Sequence, residues 1–448
     1  MRDSAPGGFL SKLGLHRREL RAWALYDWAN SVFMTTGLLI FPVYFADVAC
    51  AGSPSTVATA RYSLATTISM LVVAAASPIL GAIADYRALK KKLLAFFMIV
   101  GAVATSAWYF VGGGDWRLAI ALFLVANTGV TSSIVFYESL LPHIASQEEV
   151  DRVSTAGYAL GYLGSSLLMI VHVAWIQKPA LFGIPSVEMA IRLAFLTSGI
   201  WWALFTIPLL RRVPEPPLRL EKGERADENP VKVGFRRLGV TLREMRGYKH
   251  TFLFLVAFLI YNDGIGTIIR MASIYGREIG IEAGSLISSL LVVQLVGIPF
   301  TFLFGALAGR IGAKRSIFVS LSVYLVISVL GYRMTTARDF FVLAALVGTV
   351  QGGSQALSRS VFSTLVPKHK SSEFFAFFSV FEKFAGIIGP FVFTIIVQAT
   401  GSSRSAVLSV VVFILVGGAL LFFVNVEEGQ RVAREAERLA DAEAPSPA

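Results

Sequence analysis

The sequence is poor in the residues that build disulfides and metal centres. It contains one cysteine, Cys50, and five scattered histidines among 448 residues. A single cysteine excludes an intramolecular disulfide and any site held by several cysteines. The sequence also lacks a phosphate-binding P-loop and a recognisable cluster of nucleophile and base. We therefore expect no cofactor, no bound metal and no enzymatic activity, and ATP is not expected as an energy source.

Charged residues are scarce as well. They make up 15% of the chain, against about 25% in soluble proteins. Hydrophobic residues account for 55%, and the mean hydropathy is +0.66. The apolar runs are long and mostly lack strict alternation, which favours spanning helices over the strands of a membrane barrel. The composition thus predicts an all-α integral membrane protein, and the polar, basic N-terminus predicts no cleavable signal peptide.

Long apolar runs predict about twelve membrane-spanning helices in two sets of six. A long polar stretch separates the sixth predicted span from the seventh. This pattern predicts six-helix bundles at 23–212 and 251–426, a linker at 213–250, an amphipathic N-terminus at 1–22 and a tail at 427–448. The predicted spans are centred near Thr36, Leu71, Val100, Leu124, Leu163, Ile200, Ile260, Val292, Leu325, Val347, Gly386 and Phe413.

Basic residues are concentrated in alternate connections. They precede the first span, follow the second, eighth and tenth spans, and fill the central stretch. By the positive-inside rule, this distribution predicts that both termini and the linker are cytoplasmic. The net charge of +11 then reflects topology rather than nucleic-acid binding. We expect a monomer in the plasma (inner) membrane, with the lipid bilayer as a partner and no nucleic acid.

Two shorter segments have an amphipathic pattern. One is "FLSKLGLHRRELRAW" before the first span, and the other places Phe235, Leu238, Leu242 and Met245 at helical spacing among arginines of the linker. Both are predicted to lie along the inner leaflet with their basic side chains toward anionic headgroups. The alternative is a solvated connector that is merely basic.

The two halves resemble each other in sequence. "GAIADYRALKK" begins at Gly81 and "GALAGRIGAKR" begins 224 positions later, at Gly305. Pro142 and Pro367 are 225 positions apart, and the first spans match loosely with Asp27 and Asp263 separated by 236. Six helices plus six similar helices is the plan of a secondary transporter with its site near the midplane between the halves.

These two loop segments resemble the cytoplasmic loop signature of the major facilitator superfamily. The first copy keeps Asp85 but has Tyr86 and Ala88 where arginine and glycine are usual. The second keeps Arg310 but has Gly309 in place of the aspartate. Because the two degenerate copies stand at homologous positions, together they are a strong signal.

Three longer segments resemble one branch of that superfamily, the autophagy-related vacuolar amino-acid effluxers and their bacterial relatives. They are "YDWANS" from Tyr26, "IYNDGIGTIIRMASIYG" from Ile260 and "GGSQALSRSVFSTLVPKHKSSEFFAFFSVFEKFAGIIGP" from Gly352. The resemblance covers nearly the whole chain. It implies a twelve-helix fold and, by analogy, efflux of amino acids or similar small solutes.

Polar side chains recur on single faces of several predicted spans, and such groups are costly in hydrocarbon unless they face something polar. They are predicted to line one cavity shared by the halves, where a desolvated carboxylate can exchange protons near neutral pH. The predicted substrate or proton site comprises Tyr26, Asp27, Asn30, Asn127, Asn262, Asp263, Gln351 and Gln355. The predicted gating or structural residues are Gly81, Asp85, Arg87, Glu138, Gly305, Arg310, Arg359 and Glu382.

Each leading residue has a structural alternative. Asp27 lies near the cytoplasmic end of its span and could simply hydrogen-bond a neighbouring helix or cap the start of the span. Glu138 lies close to Pro142, so a structural salt bridge with a loop arginine is favoured there. For Asp85, a latch between charge pairs and helix ends competes with topology determination alone, which would explain the nearby lysines but not an aspartate.

The sequence as a whole favours a secondary active transporter that works by alternating access on a small-molecule substrate. Export of small polar organic solutes such as amino acids is the leading interpretation, with protons as the candidate coupling ion. A proton-coupled drug or sugar-type carrier is the alternative within this class. A membrane receptor or scaffold that kept the fold without transport is the alternative from another class, although it would not need the polar cavity or the loop signature.

Overall fold

The structure is a computed structural model, and it describes residues 8–218, 220, 224–225, 227–244, 247–278, 280–281, 283–384, 388–400 and 403–443. Some predicted features lie outside these ranges. They are residues 1–7 of the N-terminus, Met245 of the amphipathic stripe, Gly386 at the predicted centre of the eleventh span, and residues 444–448 of the tail.

Helices account for every regular element in the described part of the chain, so the predicted all-α membrane fold is confirmed. The first half contains α1 (Phe9–Lys12), α2 (Arg18–Thr35), α3 (Phe41–Tyr44), α4 (Ser55–Arg87), α5 (Lys90–Ala107), α6 (Trp116–Ser139), α7 (Leu141–Ile144), α8 (Val150–Gln177) and α9 (Val187–Arg212). The linker contains α10 (Pro230–Glu244). The second half contains α11 (Lys249–Glu278), α12 (Ala283–Ile311), α13 (Ala313–Arg333), α14 (Ala337–Thr364), α15 (Ser371–Phe384), α16 (Ile388–Thr400), α17 (Ser403–Phe422) and α18 (Val426–Glu443).

Ten helices within the described ranges are long and apolar enough to cross a bilayer: α4, α5, α6, α8, α9, α11, α12, α13, α14 and α17. The first predicted span falls short because α2 carries four charged residues, and the chain beyond it passes through π-helical turns at Thr36–Ile40 and Phe45–Ala49. The eleventh falls on α15 and α16, of 14 and 13 residues, and residues 385–387 between them lie outside the described ranges. The chain therefore has ten to twelve candidate spans.

Each half has its own hydrophobic core. In the first, Trp108 stacks on Phe41 with ring centroids 4.1 Å apart. In the second, Phe258 stacks on Phe378 at 4.5 Å. The buried members of each core all belong to one half.

The internal repeat is visible in one pair of hydrogen bonds. The hydroxyl of Tyr26 on α2 donates to Ser133 on α6 at 2.8 Å, and the hydroxyls of Tyr261 on α11 and Ser358 on α14 are 2.6 Å apart. Ser133 and Ser358 are 225 positions apart, as the sequence repeat predicts. The tyrosines are separated by 235 positions, which matches Asp27 with Asn262 rather than with Asp263.

The halves meet where α4 packs on α15 and where α8 packs on α12 and α14. The linker side is the side of the bundle on which α4 ends, α5 begins and α10 lies. We call the contacts of α4 with α15, and of α8 with α12 and α14, the linker-side closure. A Cβ atom added to Gly81 of α4 would lie 2.5 Å from the carbonyl oxygen of Ser372 in α15. A Cβ at Gly305 of α12 would overlap the hydroxyl of Thr155 in α8. The predicted structural role of both glycines agrees with these close approaches.

Candidate functional site

A cavity of about 450 Å³ lies between the two halves. Its volume is in the range of small-molecule sites, roughly 300–1,000 Å³. Along α14 its lining extends from Phe340 to Arg359, a distance of about 28 Å at the rise of an α-helix. The cavity thus reaches from the side opposite the linker down to the linker-side closure. The predicted residues that line it are Asp27, Asn30, Glu138, Gln351, Gln355, Arg359 and Glu382.

Arg359 occupies the closed end of this cavity and is 1% exposed. Its guanidinium donates to Asp27 Oδ2 at 3.1 Å and to the hydroxyl and carbonyl oxygens of Ser154, each at 2.9 Å. Glu138 Oε1 is 3.9 Å from Arg359 Nη1. An arginine buried this deeply needs paired charges and full hydrogen bonding, and α2, α6 and α8 supply both. Glu138, favoured from the sequence as the partner of a loop arginine, instead faces this arginine of α14.

Three aromatic rings surround the same guanidinium. The centroids of Tyr158, Trp23 and Tyr137 lie 4.4, 4.8 and 5.6 Å from Arg359 Cζ. Trp23 stacks on Tyr137 at 4.4 Å, and the Tyr137 hydroxyl donates to Asp27 Oδ2 at 2.9 Å. Stacked rings of this kind stabilise a cation by its attraction to their faces. Sequence reasoning missed these rings, although Trp23 precedes Asp27 by one helical turn and therefore shares its face.

Gly157 of α8 makes room for the pair. A Cβ at this position would overlap Asp27 Oδ2 and lie 3.1 Å from Arg359 Nη2. Gly157 and Gly161 stand four positions apart, a spacing of small residues that is typical of close helix contact. The structure assigns Gly157 the further effect of leaving space for a buried ion pair.

Asn30 and Gln355 present amide groups to the cavity. Asn30 is 4% exposed, and its Nδ2 has no hydrogen-bond acceptor among the residues that the structure describes. A buried donor left in this way is costly unless a ligand or water accepts from it. Gln355 donates to Asn262 Oδ1 at 2.6 Å, which holds α14 against α11.

Four residues of the predicted substrate or proton site do not line the cavity. Tyr26 bonds Ser133, Asn127 donates to Ser69 at 2.9 Å, and Asn262 bonds Gln355. Asp263 is 1% exposed and accepts from the backbone N–H of Gly389 in α16 at 2.6 Å. The structure therefore brings Asp27 to the cavity and Asp263 to the backbone of α16.

Asp85 lies at the linker-side closure and is buried. Its Oδ1 is 2.6 Å from Lys90 Nζ, and its Oδ2 accepts from the backbone N–H of Glu373 at 3.1 Å. Lys90 also donates to Ser371 at 2.5 Å. Since Glu373 is in the first turn of α15, Asp85 ties the end of α4 to a helix N-terminus of the other half.

The other loop residues predicted to act in gating lie nearer the surface. Arg87 donates to the carbonyl oxygen of Glu228, just before α10, at 3.0 Å. Arg310, at the end of α12, is exposed. Between α9 and α10, Glu215 accepts from the N–H of Lys91 at 2.9 Å. Partial burial raises the pKa of the Glu215 carboxyl above its usual range, and the bond from Lys91 opposes that change.

Comparison with known proteins gives a consistent result. Residues 15–434 match the family model "Vacuole effluxer Atg22 like". A Bacillus subtilis protein named an uncharacterized MFS-type transporter, YxiO, is 37% identical, with 93% of this chain and 97% of that protein covered. Autophagy-related protein 22 of Yarrowia lipolytica is 26% identical, with 85% and 77% covered.

Solved structures of the same fold include two bacterial transporters. A proton:xylose symporter, XylE, aligns with a TM-score of 0.67 at 13% identity and covers 96% of this chain and 98% of its own. FucP in an outward conformation aligns with a TM-score of 0.68 at 11% identity and covers 91% and 100%.

Proposed function

Because the chain belongs to the Atg22-like family of the major facilitator superfamily, we propose that this membrane transporter exports small polar organic solutes such as amino acids. The observation that carries the proposal is the cavity between the halves, whose closed end combines Arg359 with Asp27 and Glu138. A cation and carboxylates in one pocket suit a substrate that bears both charges. The description of the family as vacuole effluxers supports export.

Alternating access follows from the distribution of contacts. The two bundles, 23–212 and 251–426, move as units about the cavity. Linker-side opening must part α4 from α15 and α8 from α14, and it must withdraw Arg359 from its partners in the first half. The closed linker side and the extension of the cavity toward the opposite side support an outward-facing state for this conformation.

Topology and membrane complete the proposal. The basic loops support a cytoplasmic location for the linker side and both termini. The similarity to a Bacillus subtilis protein supports the plasma membrane as the location. The transporter acts as a monomer, since each six-helix half contributes one wall of the cavity and no second copy is needed to form it.

Proton coupling is assigned to Asp27. When its carboxylate is ionised, it holds Arg359 to the first half through a charge-assisted hydrogen bond. Protonation removes the ionic part of that interaction and makes withdrawal of Arg359 less costly. A proton taken up from one side and released on the other would thus drive the exchange between states.

Proteoliposomes test the function directly. Vesicles loaded with a labelled amino-acid mixture should release at least one component when they contain the protein, and an imposed pH gradient should accelerate release. Arg359→Gln should abolish this release, while Arg338→Gln, which removes an exposed cation from the same helix, should preserve it. If correctly folded protein releases no component, the proposed substrate class is wrong.

A further inference from the structure

The linker helix α10 packs against both halves through one face. Val233, Gly234, Arg237 and Thr241 on this face are buried. A Cβ at Gly234 would lie 2.9 Å from Ile83 Cγ1 and 3.3 Å from the carbonyl oxygen of Ile79, so the helix lies directly against α4. Its other contact is with α15, where the Thr241 hydroxyl donates to Glu373 Oε2 at 2.5 Å.

An ion pair fixes the rotation of α10 about its axis. Arg237 is 1% exposed and donates twice to Glu224, at 2.8 and 2.6 Å. Its Nη1 lies 4.0 Å from Glu373 Oε1. Because Glu224 and Glu373 hold this buried guanidinium, the other side chains of α10 have a fixed orientation relative to the protein.

The outward face of α10 is apolar. Phe235 is 56% exposed and Val231 is 52% exposed, and the two are one helical turn apart. At 3.6 residues per turn, Phe235 points about 160° away from Val233 of the packed face. Of the stripe that the sequence predicted, Phe235 turns away from the protein and Leu238 is half-buried, while the Leu242 side chain and Met245 lie outside what the structure describes. Val231, which the prediction did not include, is exposed beside Phe235.

The depth of this stripe follows from α4. Gly234 contacts Ile79 and Ile83, which precede the end of α4 at Arg87 by eight and four residues. At 1.5 Å per residue these contacts are about 12 and 6 Å from the end of a spanning helix. Interfacial helices bury their apolar face to a similar depth, about 5–10 Å into the boundary between headgroups and acyl chains.

Cations flank the stripe. Helix α10 carries four, Lys232, Arg236, Arg237 and Arg243, and one acidic residue, Glu244. Lys232, Arg236 and Arg243 are exposed, and Lys232 and Arg236 lie within about 100° of Phe235 around the helix. Arg237 is paired with Glu224 and Arg236 with Glu228, so Lys232 and Arg243 supply the exposed positive charge beside the apolar stripe.

We propose that the outward face of α10 docks on an anionic lipid surface, with Val231 and Phe235 among the acyl chains and Lys232 and Arg243 at the headgroups. The apolar stripe, its depth beside α4 and the basic edge together fit this partner. The proposal concerns a surface of the linker and stands independently of the transported substrate.

Fluorescence in nanodiscs tests the docking. The full chain carries Cys50→Ser and Phe235→Cys, with bimane on the new cysteine, and the discs contain phosphatidylcholine alone or mixed with phosphatidylglycerol. Lipid bearing a doxyl group on its acyl chain serves as the quencher. We expect blue-shifted emission and stronger quenching in the anionic discs, and raised salt should weaken both.

Charge variants separate docking from nonspecific effects. Lys232→Gln with Arg243→Gln should lower the docked-to-undocked ratio about fivefold for each cation removed. Arg431→Gln with Arg438→Gln, which removes two exposed cations from α18, should leave it unchanged. The same label is also placed at Val231→Cys, where Phe235 is retained. Agreement between the two labelled sites would show that the result does not depend on replacing Phe235. Equal quenching in both lipid mixtures would overturn the proposal, because the face would then bind lipid without regard to its charge. Water-like emission in both mixtures would also overturn it, because the face would then not be in contact with lipid.

Discussion

Arg359 on α14 donates a 3.1 Å hydrogen bond to Asp27 on α2, across the boundary between the two halves. Every described partner of its guanidinium, from Ser154 to the ring of Tyr158, belongs to the first half. Breaking a buried charge pair without replacement costs about 3–5 kcal/mol. Opening of the linker side therefore requires another partner for Asp27 or Arg359. We expect this partner to be a charged group of the substrate or a proton.

Asp27→Asn should uncouple transport from the pH gradient. The amide keeps the size of the side chain but cannot exchange a proton, so we expect solute flux to become insensitive to an imposed gradient. Flux in proteoliposomes at several pH gradients measures this effect. Wild-type coupling in the variant would contradict the role of Asp27.

Asp263→Asn is the matched control. This change weakens a bond from the N–H of Gly389 and should cost about 0.5–1.5 kcal/mol of stability, as for a typical hydrogen bond. We expect a lower unfolding temperature and retained pH coupling. If Asp263→Asn abolished coupling and Asp27→Asn did not, the assignment of the two carboxylates would be reversed.

Gly157→Ala should impair transport through the ion pair that it borders. The added methyl group overlaps Asp27 Oδ2, and overpacking of this kind costs about 1–3 kcal/mol. Initial transport rates and unfolding temperatures would both fall. Gly418→Ala places its Cβ 3.7 Å from Leu321, an ordinary contact, and should be tolerated. Equal losses in the two variants would argue against a special role for the space at Gly157.

Asn30→Ala should raise the apparent KM for the exported solute. The Asn30 amide offers a cavity-facing donor with no described acceptor, and one hydrogen bond contributes about 0.5–1.5 kcal/mol, or roughly two- to tenfold in affinity. Asn127→Ala removes a bond to Ser69 away from the cavity and should leave KM unchanged. Concentration-dependent flux distinguishes them, and a KM change confined to Asn127→Ala would refute the contact.

Asp85→Ala should weaken the linker-side closure. It leaves Lys90 buried without its carboxylate and the N–H of Glu373 without its acceptor. If the closed state became less stable than before by about 1.4 kcal/mol relative to the open state, the ratio of open to closed protein would already rise tenfold. A reporter cysteine at Ser139, buried at this closure, should react faster with an impermeant maleimide in the Cys50→Ser background.

Asp227→Ala controls for lost charge on the linker side, because the Asp227 side chain is 81% exposed. Its labelling rate should equal that of the parent. Unchanged labelling in Asp85→Ala would leave Asp85 with a role in topology alone.

Hydrophobic run length made most of the fold predictable. Ten helices in the described part of the chain meet the length and apolarity of a span, and the eleventh predicted span includes residues outside that part. The first predicted span combines Asp27 with basic residues at its start, and its continuation is broken by π-helical turns. Run length cannot reveal such turns, because they depend on local backbone hydrogen bonding.

The site was predictable in its residue types and less so in its pairings. The repeat was expected to match Asp27 with Asp263, whereas the tyrosine–serine bonds match Asp27 with Asn262. One residue turns a helical side chain by about 100°, which is enough to move a carboxylate from a cavity to the backbone of a neighbouring helix. The bond between Asp27 and Arg359 joins residues 332 positions apart, and no local pattern encodes such a contact.

The glycines at the linker-side closure have an electrical consequence. Gly81 lies directly against the backbone of Ser372, and Gly305 lies directly against the side chain of Thr155. Surfaces this close leave no room for a file of water molecules, which would need gaps of about one probe sphere, or 10–15 Å³ each. We therefore expect the protein in this state not to conduct ions, so that the membrane potential is preserved.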